Sequence, residues 1–275
     1  MKLFFRIILI LSANVNSQSI KFLSSDRLVL GNNKERTASL DVGDIDNDGD
    51  LDVAVGNDRA PNNLFINDGD GNFSKGLTFG NINSTTRNII VSDIDLDGDQ
   101  DILITNRREE NEICLNNGKG VFNKTIGFGT KNDSTIDIEV VDIDQDNDID
   151  LVLANRDGQQ NYIYLNDGNL RFNKKILFGS GTDITRSVAI SDINQDGFLD
   201  IICANIGEPN FIYFGDSKFS FNEKVEFDNS LDKSYSIDVG DLDLDGDVDI
   251  VIGNSDTPNT IFYNNGIGRV WKNFF

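Results

Sequence analysis

Apolar and polar positions along the chain fall into short runs broken by turn residues. Runs such as Leu51-Asp52-Val53-Ala54-Val55 and Val248-Asp249-Ile250-Val251-Ile252 are β-branched and brief, which argues for strands and against helices. Over residues 88–128 the pattern predicts four strands: A at 88–91, B at 102–105, C at 112–115 and D at 121–128. The same order recurs through the chain. Tight-turn sequences mark the C–D hairpins at Asn67-Asp68-Gly69, Asn116-Asn117-Gly118, Asn166-Asp167-Gly168 and Asn264-Asn265-Gly266, and Phe214-Gly215-Asp216-Ser217 replaces them in the fourth copy.

Between strands A and B lies an acidic stretch of nine residues, first seen as Asp44-Ile45-Asp46-Asn47-Asp48-Gly49-Asp50-Leu51-Asp52. Further copies start at Asp93, Asp142, Asp192 and Asp241, so the steps are 49, 49, 50 and 49 residues. A period this regular dictates a repeat architecture. Carboxylates at positions 1, 3 and 5 converge on one hard cation if glycine at position 6 lets the backbone turn sharply. Position 7 then offers its carbonyl and position 9 a further carboxylate, an all-oxygen shell of the kind calcium takes. The pattern matches the first half of an EF-hand loop, but position 12 is Val55, Ile104 or Leu153 where that loop carries Glu. The loop therefore belongs to a β-hairpin. So many carboxylates in nine residues repel one another unless a cation neutralises them.

The copies differ. Those at Asp44, Asp93 and Asp241 keep Asp at positions 1, 3, 5 and 9 with Gly at 6; the third has Asn147 at position 6, a residue that tolerates the left-handed region. The fourth has Asn194 at position 3 and Phe198 at position 7, and is expected to bind most weakly.

Other residues keep the same register. Phe73, Phe122, Phe172 and Phe221 fall in strand D, with Phe79, Phe128, Phe178 and Phe227 six residues later. Aromatics at a fixed point of each unit are expected to wedge between neighbouring sheets. Asn57, Asn106, Asn155, Asn205 and Asn254 end strand B, and Asn62, Asn111, Asn161, Asn210 and Asn259 precede strand C; local capping of the B–C turn is their expected role.

Four strands in about 49 residues, repeated with aromatics and glycines in register, is the pattern of a propeller blade. The motif D-x-D-x-D-G-x-x-D, followed by an apolar strand and an Asn-rich turn, runs over roughly residues 22–275. It resembles the FG-GAP and VCBS repeat family, calcium-bearing β-propellers that include the integrin alpha-subunit head. The resemblance implies an all-β propeller of five blades, each of four antiparallel strands, with a calcium loop in every A–B hairpin. The family's metal ligands carry over to Asp44, Asp46, Asp48, Asp50 and Asp52; to Asp93, Asp95, Asp97, Asp99 and Asp101; and to Asp142, Asp144, Asp146, Asp148 and Asp150. They carry over equally to Asp192, Asn194, Asp196, Phe198 (by its carbonyl) and Asp200, and to Asp241, Asp243, Asp245, Asp247 and Asp249. That makes up to five Ca2+ ions, one per repeat.

Two features depart from the family. It commonly closes with seven blades, and five loops are present here. The ends are also redundant, since Leu28-Val29-Leu30-Gly31 and the tail from Val270 to Phe275 both fit the last strand D. A five-bladed ring is expected, because the unpaired edges of an open arc invite association.

Composition sharpens this picture. The net charge of −22 looks extreme, yet the five loops hold 23 of the 46 acidic residues. The acidity reads as metal ligation, and nucleic acid is not an expected partner. Histidine is absent, which removes Ser-His-Asp chemistry and His-ligated zinc. The two cysteines, Cys114 and Cys203, lie in apolar strands of different repeats and read as buried small residues before they read as a disulfide.

Residues 1–17 read as a signal peptide, with Lys2 and Arg6 ahead of the apolar run Ile7-Ile8-Leu9-Ile10-Leu11; the alternative is a first apolar strand. That run is too short to cross a bilayer, and no transmembrane segment is expected. Residues 18–275 then form one propeller domain. An extracellular location fits, since calcium there fills weak sites that cytosolic levels leave empty. At ~10⁻³ M calcium and Kd near ~10⁻⁴ M, each loop adds about 1.4 kcal/mol by linkage, which makes calcium a structural staple.

A propeller has two loop-bearing faces. The metal loops and C–D turns share one; the B–C and D–A connections form the other, and seven of the eleven arginines fall there: Arg36, Arg59, Arg87, Arg107, Arg108, Arg156 and Arg186. Balancing of neighbouring carboxylates is the simplest role for them. A second is binding of a protein or acidic glycan ligand, with Arg59, Arg107, Arg108 and Arg156 as candidates. The expected function is a secreted adhesion or recognition module without chemistry of its own. The alternative is a carbohydrate-active enzyme such as a polysaccharide lyase, which can use Arg, Tyr or Lys in place of His. No unrepeated constellation is visible in the sequence to support it.

Overall fold

A computed structural model describes residues 29–31, 34–266 and the backbone of 271–272. The expected signal peptide at 1–17 lies outside these residues, as do Leu28, Val270 and 273–275. The chain divides into two units, 1–32 and 33–275, and all strands belong to the second.

Twenty strands form five four-stranded antiparallel sheets. The first holds β1 (Thr37–Gly43), β2 (Asp52–Asn57), β3 (Asn62–Asn67) and β4 (Phe73–Phe79); the second β5 (Thr86–Ser92), β6 (Asp101–Asn106), β7 (Asn111–Leu115) and β8 (Lys124–Phe128). The third holds β9 (Thr135–Val141), β10 (Asp150–Asn155), β11 (Asn161–Leu165) and β12 (Lys174–Phe178). In the fourth are β13 (Thr185–Ser191), β14 (Asp200–Asn205), β15 (Asn210–Phe214) and β16 (Glu223–Asp228). The fifth contains β17 (Lys233–Gly240), β18 (Asp249–Ser255), β19 (Thr260–Tyr263) and β20 (Trp271–Lys272). In each sheet the strands lie side by side in sequence order.

The fourth strand of the fifth sheet comes from the C-terminal tail, where Trp271 pairs with Tyr263 and Lys272 with Phe262. Val29, Leu30 and Gly31 form no strand. Strand D of the second sheet starts at Lys124, three residues later than expected. The reason is Phe122, which leaves the sheet to pack on Phe79 of the preceding one, ring centroids 5.8 Å apart. Phe172 meets Phe128 in the same way at 6.2 Å. Phe122 and Phe172 are thus wedges between sheets, whereas Phe73 stays in strand β4 and joins no core cluster.

Sheets pack in sequence order: β1 lies on β5, β5 on β9, β9 on β13 and β13 on β17. Each of these four contacts encloses its own apolar core. Among the described residues the first and fifth sheets enclose none. Leu40 is 63% exposed, whereas its counterparts Ile89, Ile138 and Val188 are buried; Leu242 is 45% exposed, whereas Ile45, Ile94, Ile143 and Ile193 are buried. Repeat chemistry places apolar residues on both of these outer faces, and no sheet covers them. Cys114 and Cys203 are buried free thiols, as expected.

The asparagines fix the B–C turn. The side-chain oxygens of Asn62, Asn111, Asn161, Asn210 and Asn259 accept from the amides of Asn57, Asn106, Asn155, Asn205 and Asn254 at 2.7–3.0 Å. The latter five then donate to the backbone carbonyl just before strand C. Buried backbone groups at the strand ends are thereby satisfied without water.

Candidate functional site

The acidic stretches form A–B loops of one geometry. Position 6 takes a left-handed conformation in all five, with φ of 98°, 97°, 93° and 95° at Gly49, Gly98, Gly197 and Gly246 and 75° at Asn147. The position 1 carboxylates of Asp44, Asp93, Asp142, Asp192 and Asp241 accept from the position 6 amide. Position 5, at Asp48, Asp97, Asp146, Asp196 and Asp245, accepts from the position 7 amide. These bonds curl the loop and point the remaining carboxylate oxygens inward.

Four acidic clusters result: Asp44, Asp46 and Asp48; Asp93, Asp95 and Asp101; Asp142, Asp144 and Asp146; Asp241, Asp243 and Asp245. In each cluster one oxygen per residue lies within 4.8 Å of the others, close enough to hold a metal ion. Each also contains a buried carboxylate oxygen without a hydrogen-bond partner: Asp46 Oδ1, Asp93 Oδ1, Asp144 Oδ1 and Asp241 Oδ1. A buried, unsatisfied carboxylate oxygen is costly, and a cation supplies the missing partner. Burial, followed by the neighbouring carboxylates, raises the pKa of the position 3 groups Asp46, Asp95, Asp144 and Asp243. The residues present therefore fit a hard divalent ion.

The fourth loop forms no such cluster. The Asn194 amide donates to Asp196 Oδ2 at 3.0 Å and its oxygen accepts from the Asp196 amide, so the loop satisfies itself.

Position 9 joins a cluster only at Asp101, and in every loop it has a further job. Asp52, Asp101, Asp150, Asp200 and Asp249 are buried, and each accepts from two backbone amides at 2.8–3.3 Å, one from loop position 2 and one from the C–D turn. They clamp the loop to the neighbouring hairpin. Burial pushes Asp101 and Asp150 up to about 7 and Asp200 to about 6. The position 7 side chains of Asp50, Asp99, Asp148 and Asp247 join no cluster and lie against Gly69, Gly118, Gly168 and Gly266 of the C–D turns. A Cβ at Gly69 would stand 2.4 Å from Asp50 Oδ2, so these turns need glycine for space as well as for φ.

At the opposite end of the sheets the arginines gather on two aspartates. Arg36, Arg59 and Arg87 approach the buried Asp58 at 3.2, 3.9 and 3.3 Å. Arg107, Arg108 and Arg156 approach Asp157 at 2.8, 3.6 and 3.1 Å. Burial would raise Asp157, but bonds from Arg107 and Ser134 hold it below the usual carboxylate range. Six of the seven arginines are therefore ion-paired, three to one carboxylate, which leaves a local surplus of cations around Asp58 and around Asp157.

Sequence reasoning missed what lies at the centre of that face. Each first strand carries a β-bulge at the same register, at Ala38, Arg87, Ile136, Arg186 and Tyr235. Bulges re-aim side chains, and here all five line a pocket of about 460 Å³. Beneath them the next residues, Ser39, Asn88, Asp137, Ser187 and Ser236, form a polar ring. Ser39 donates to Asn88, Asn88 to Asp137, and Ser187 also to Asp137, which links four sheets. The signal was present: one position per repeat is small or polar inside an apolar strand, and the position before it takes four different residue types in five copies.

Residues 44–104, 93–153, 142–203 and 192–252 each match the FG-GAP-like repeat. The chain belongs to the FG-GAP-like repeat family. Solved structures similar to this FG-GAP protein include an Agrocybe aegerita lectin that recognises non-reducing terminal N-acetylglucosamine (TM-score 0.63, 16% identity, 87% of this chain and 66% of that one). BBS1N, solved in complex with ARL6DN, aligns at a TM-score of 0.55 with 11% identity, over 87% of this chain and 66% of that one. The V. cholerae biofilm matrix protein Bap1 aligns at 0.54 with 18% identity, over 86% of this chain and 39% of that one. At these identities the likeness is one of fold, propeller-like repeated sheets, and the FG-GAP chain spans under two thirds of each partner's length. No curated protein matches. Among the described residues no helix is long and apolar enough to cross a membrane.

Proposed function

We propose that this FG-GAP protein is a secreted, calcium-stapled recognition module that binds an acidic glycan or protein ligand on its arginine-bearing face. The observation that carries this reading is the three-to-one arrangement of arginines around Asp58 and around Asp157, two local surpluses of positive charge on a chain whose net charge is −22. Arginine pairs with carboxylates in a fixed fork and suits their recognition. The lectin and the biofilm matrix protein share the fold and support the reading by analogy.

Calcium is the ion proposed for the acidic loops, because the donors are oxygens only. Asp44, Asp46 and Asp48 would hold it in the first loop, Asp93, Asp95 and Asp101 in the second, Asp142, Asp144 and Asp146 in the third, and Asp241, Asp243 and Asp245 in the fifth. When bound it neutralises converging carboxylates and ties strands A and B together. We also propose that the faces carrying Leu40 and Leu242 meet to close a five-bladed ring. A cysteine replacing Leu40 should then react with a thiol reagent as slowly as one replacing Ile89; fast labelling at position 40 alone contradicts closure.

The test of function is binding to polygalacturonate in millimolar calcium. Alanine at both Arg107 and Arg108 should weaken it at least tenfold, and unchanged binding sinks the reading. A polysaccharide lyase is the second reading, favoured by the pairing of Arg186 with Tyr235 at a pocket. New ultraviolet absorbance from unsaturated chain ends would establish it.

A further inference from the structure

The bulge residues break the sameness of the repeats. Ala38, Arg87, Ile136, Arg186 and Tyr235 occupy one structural position five times with four chemistries around a common cavity. Arg87 is tied to Asp58 at 3.3 Å. Arg186 has no ion pair among the described residues, and its Nη1 is buried without a hydrogen-bond acceptor. Its guanidinium lies over the Tyr235 ring, 4.9 Å from the centroid, a contact that fixes a cation in place without neutralising it.

The one carboxylate of the pocket makes neither a hydrogen bond nor an ion pair with Arg186, although its charge acts on the guanidinium from a distance. Asp137 is engaged by Asn88 Nδ2, Ser187 Oγ and the Val188 amide, three donors on its two oxygens. Burial, and then the positive charges of Arg156 and Arg87, lower the pKa of Arg186, opposed in part by Tyr235 and Asp137. A fixed, half-buried guanidinium with a free donor among like charges is built to receive an anion. Around it stand Ser39, Asn88 and Ser236, which suit hydroxyl groups, and the partly exposed Tyr235 ring. The cavity volume of about 460 Å³ is in the range of small-ligand pockets.

We propose that this axial pocket binds a single uronate residue, an acidic sugar whose carboxylate meets Arg186 and whose hydroxyls meet the serine and asparagine ring. It rests on the reading of the arginine-bearing face as the recognition surface and names the sugar's place on it. The arginines around Asp157 would then engage the remainder of a chain whose one unit enters the pocket.

The test is calorimetric titration of the full chain in millimolar calcium with sodium glucuronate and with glucose. Glucuronate should saturate one site and glucose should bind at least tenfold more weakly. Arg186→Gln should weaken glucuronate at least tenfold, Arg186→Lys less, and Tyr235→Ala severalfold, with melting temperatures kept near that of the parent. Lys119→Ala, at a C–D turn on the opposite face, should change nothing. No glucuronate site, glucose binding as tightly as glucuronate, or an unchanged Arg186→Gln variant overturns the proposal. If polygalacturonate binding still responds to Arg107 and Arg108 in that case, the pocket assignment falls and the face reading stands. If it does not respond, both fall.

Discussion

Asn47 Nδ2 donates to Asp99 Oδ1 at 2.8 Å, and so joins the first acidic loop to the second. The bond recurs where the chemistry permits: Gln145 donates to the Gly197 carbonyl at 3.0 Å, and Gln195 to Asp247 at 2.7 Å. All three donors sit at loop position 4, in the left-handed region with φ near 60°. The first loop is thus linked to the second, and the third to the fourth and the fourth to the fifth.

In the second loop that position holds Leu96, 55% exposed and also left-handed at φ 59°. Leucine gains nothing there and bears the left-handed strain of roughly 1–2 kcal/mol. Leu96→Asn should relieve part of it and offer a donor to the third loop. The expected stabilisation is about 1 kcal/mol, seen as a rise of roughly 2–4 °C in melting temperature. A fall would show that position 4 does not link the loops.

The fourth loop closes on its own asparagine. Asn194→Asp would remove the donor that satisfies Asp196 and restore the third converging carboxylate. Calorimetry should then find one more calcium ion at the affinity of the other loops, and in chelator the variant should be less stable than the parent. Unchanged stoichiometry would mean that position 3 does not decide ion capture.

Protonation should oppose calcium. Asp101 and Asp150 are raised to about 7 and Asp200 to about 6, chiefly by burial. A carboxyl with a raised folded-state pKa stabilises the fold below its unfolded value near 4 and loses that contribution as pH rises through 6 to 7. In chelator, stability should therefore fall between pH 4 and 7. In calcium the slope should flatten or reverse, because ligation needs the charged form. Urea denaturation at pH 4.5 and 7 in both media checks this, and parallel slopes would contradict it.

Much of this was legible in the chain. The 49-residue step and the short β-branched runs pointed to five four-stranded sheets, and the caps by Asn62 and its counterparts followed from local turn chemistry. The difference of the fourth loop was visible in Asn194. The end of the array was not, because whether Leu40 and Leu242 are covered depends on contacts between the first and last sheets, which no local pattern encodes. The pocket was missed for a related reason. A β-bulge is a register slip between paired strands, so the place of Arg186 and Tyr235 emerges only once Thr185 is paired with Asn205 and Ser187 with Ala204, and Ser234 with Asn254 and Ser236 with Gly253.

The central claim is that cations hold the acidic loops together, and a thermal melt of residues 18–275 in millimolar calcium and in chelator tests it most directly when paired with calorimetric stoichiometry. Four clustered loops and a weaker fifth predict at least four bound ions and a melting temperature lower by roughly 10 °C or more in chelator, given about 1.4 kcal/mol per loop. Equal melting temperatures and no heat of binding would contradict the account and leave the buried, unpartnered oxygens of Asp46, Asp93, Asp144 and Asp241 without an explanation.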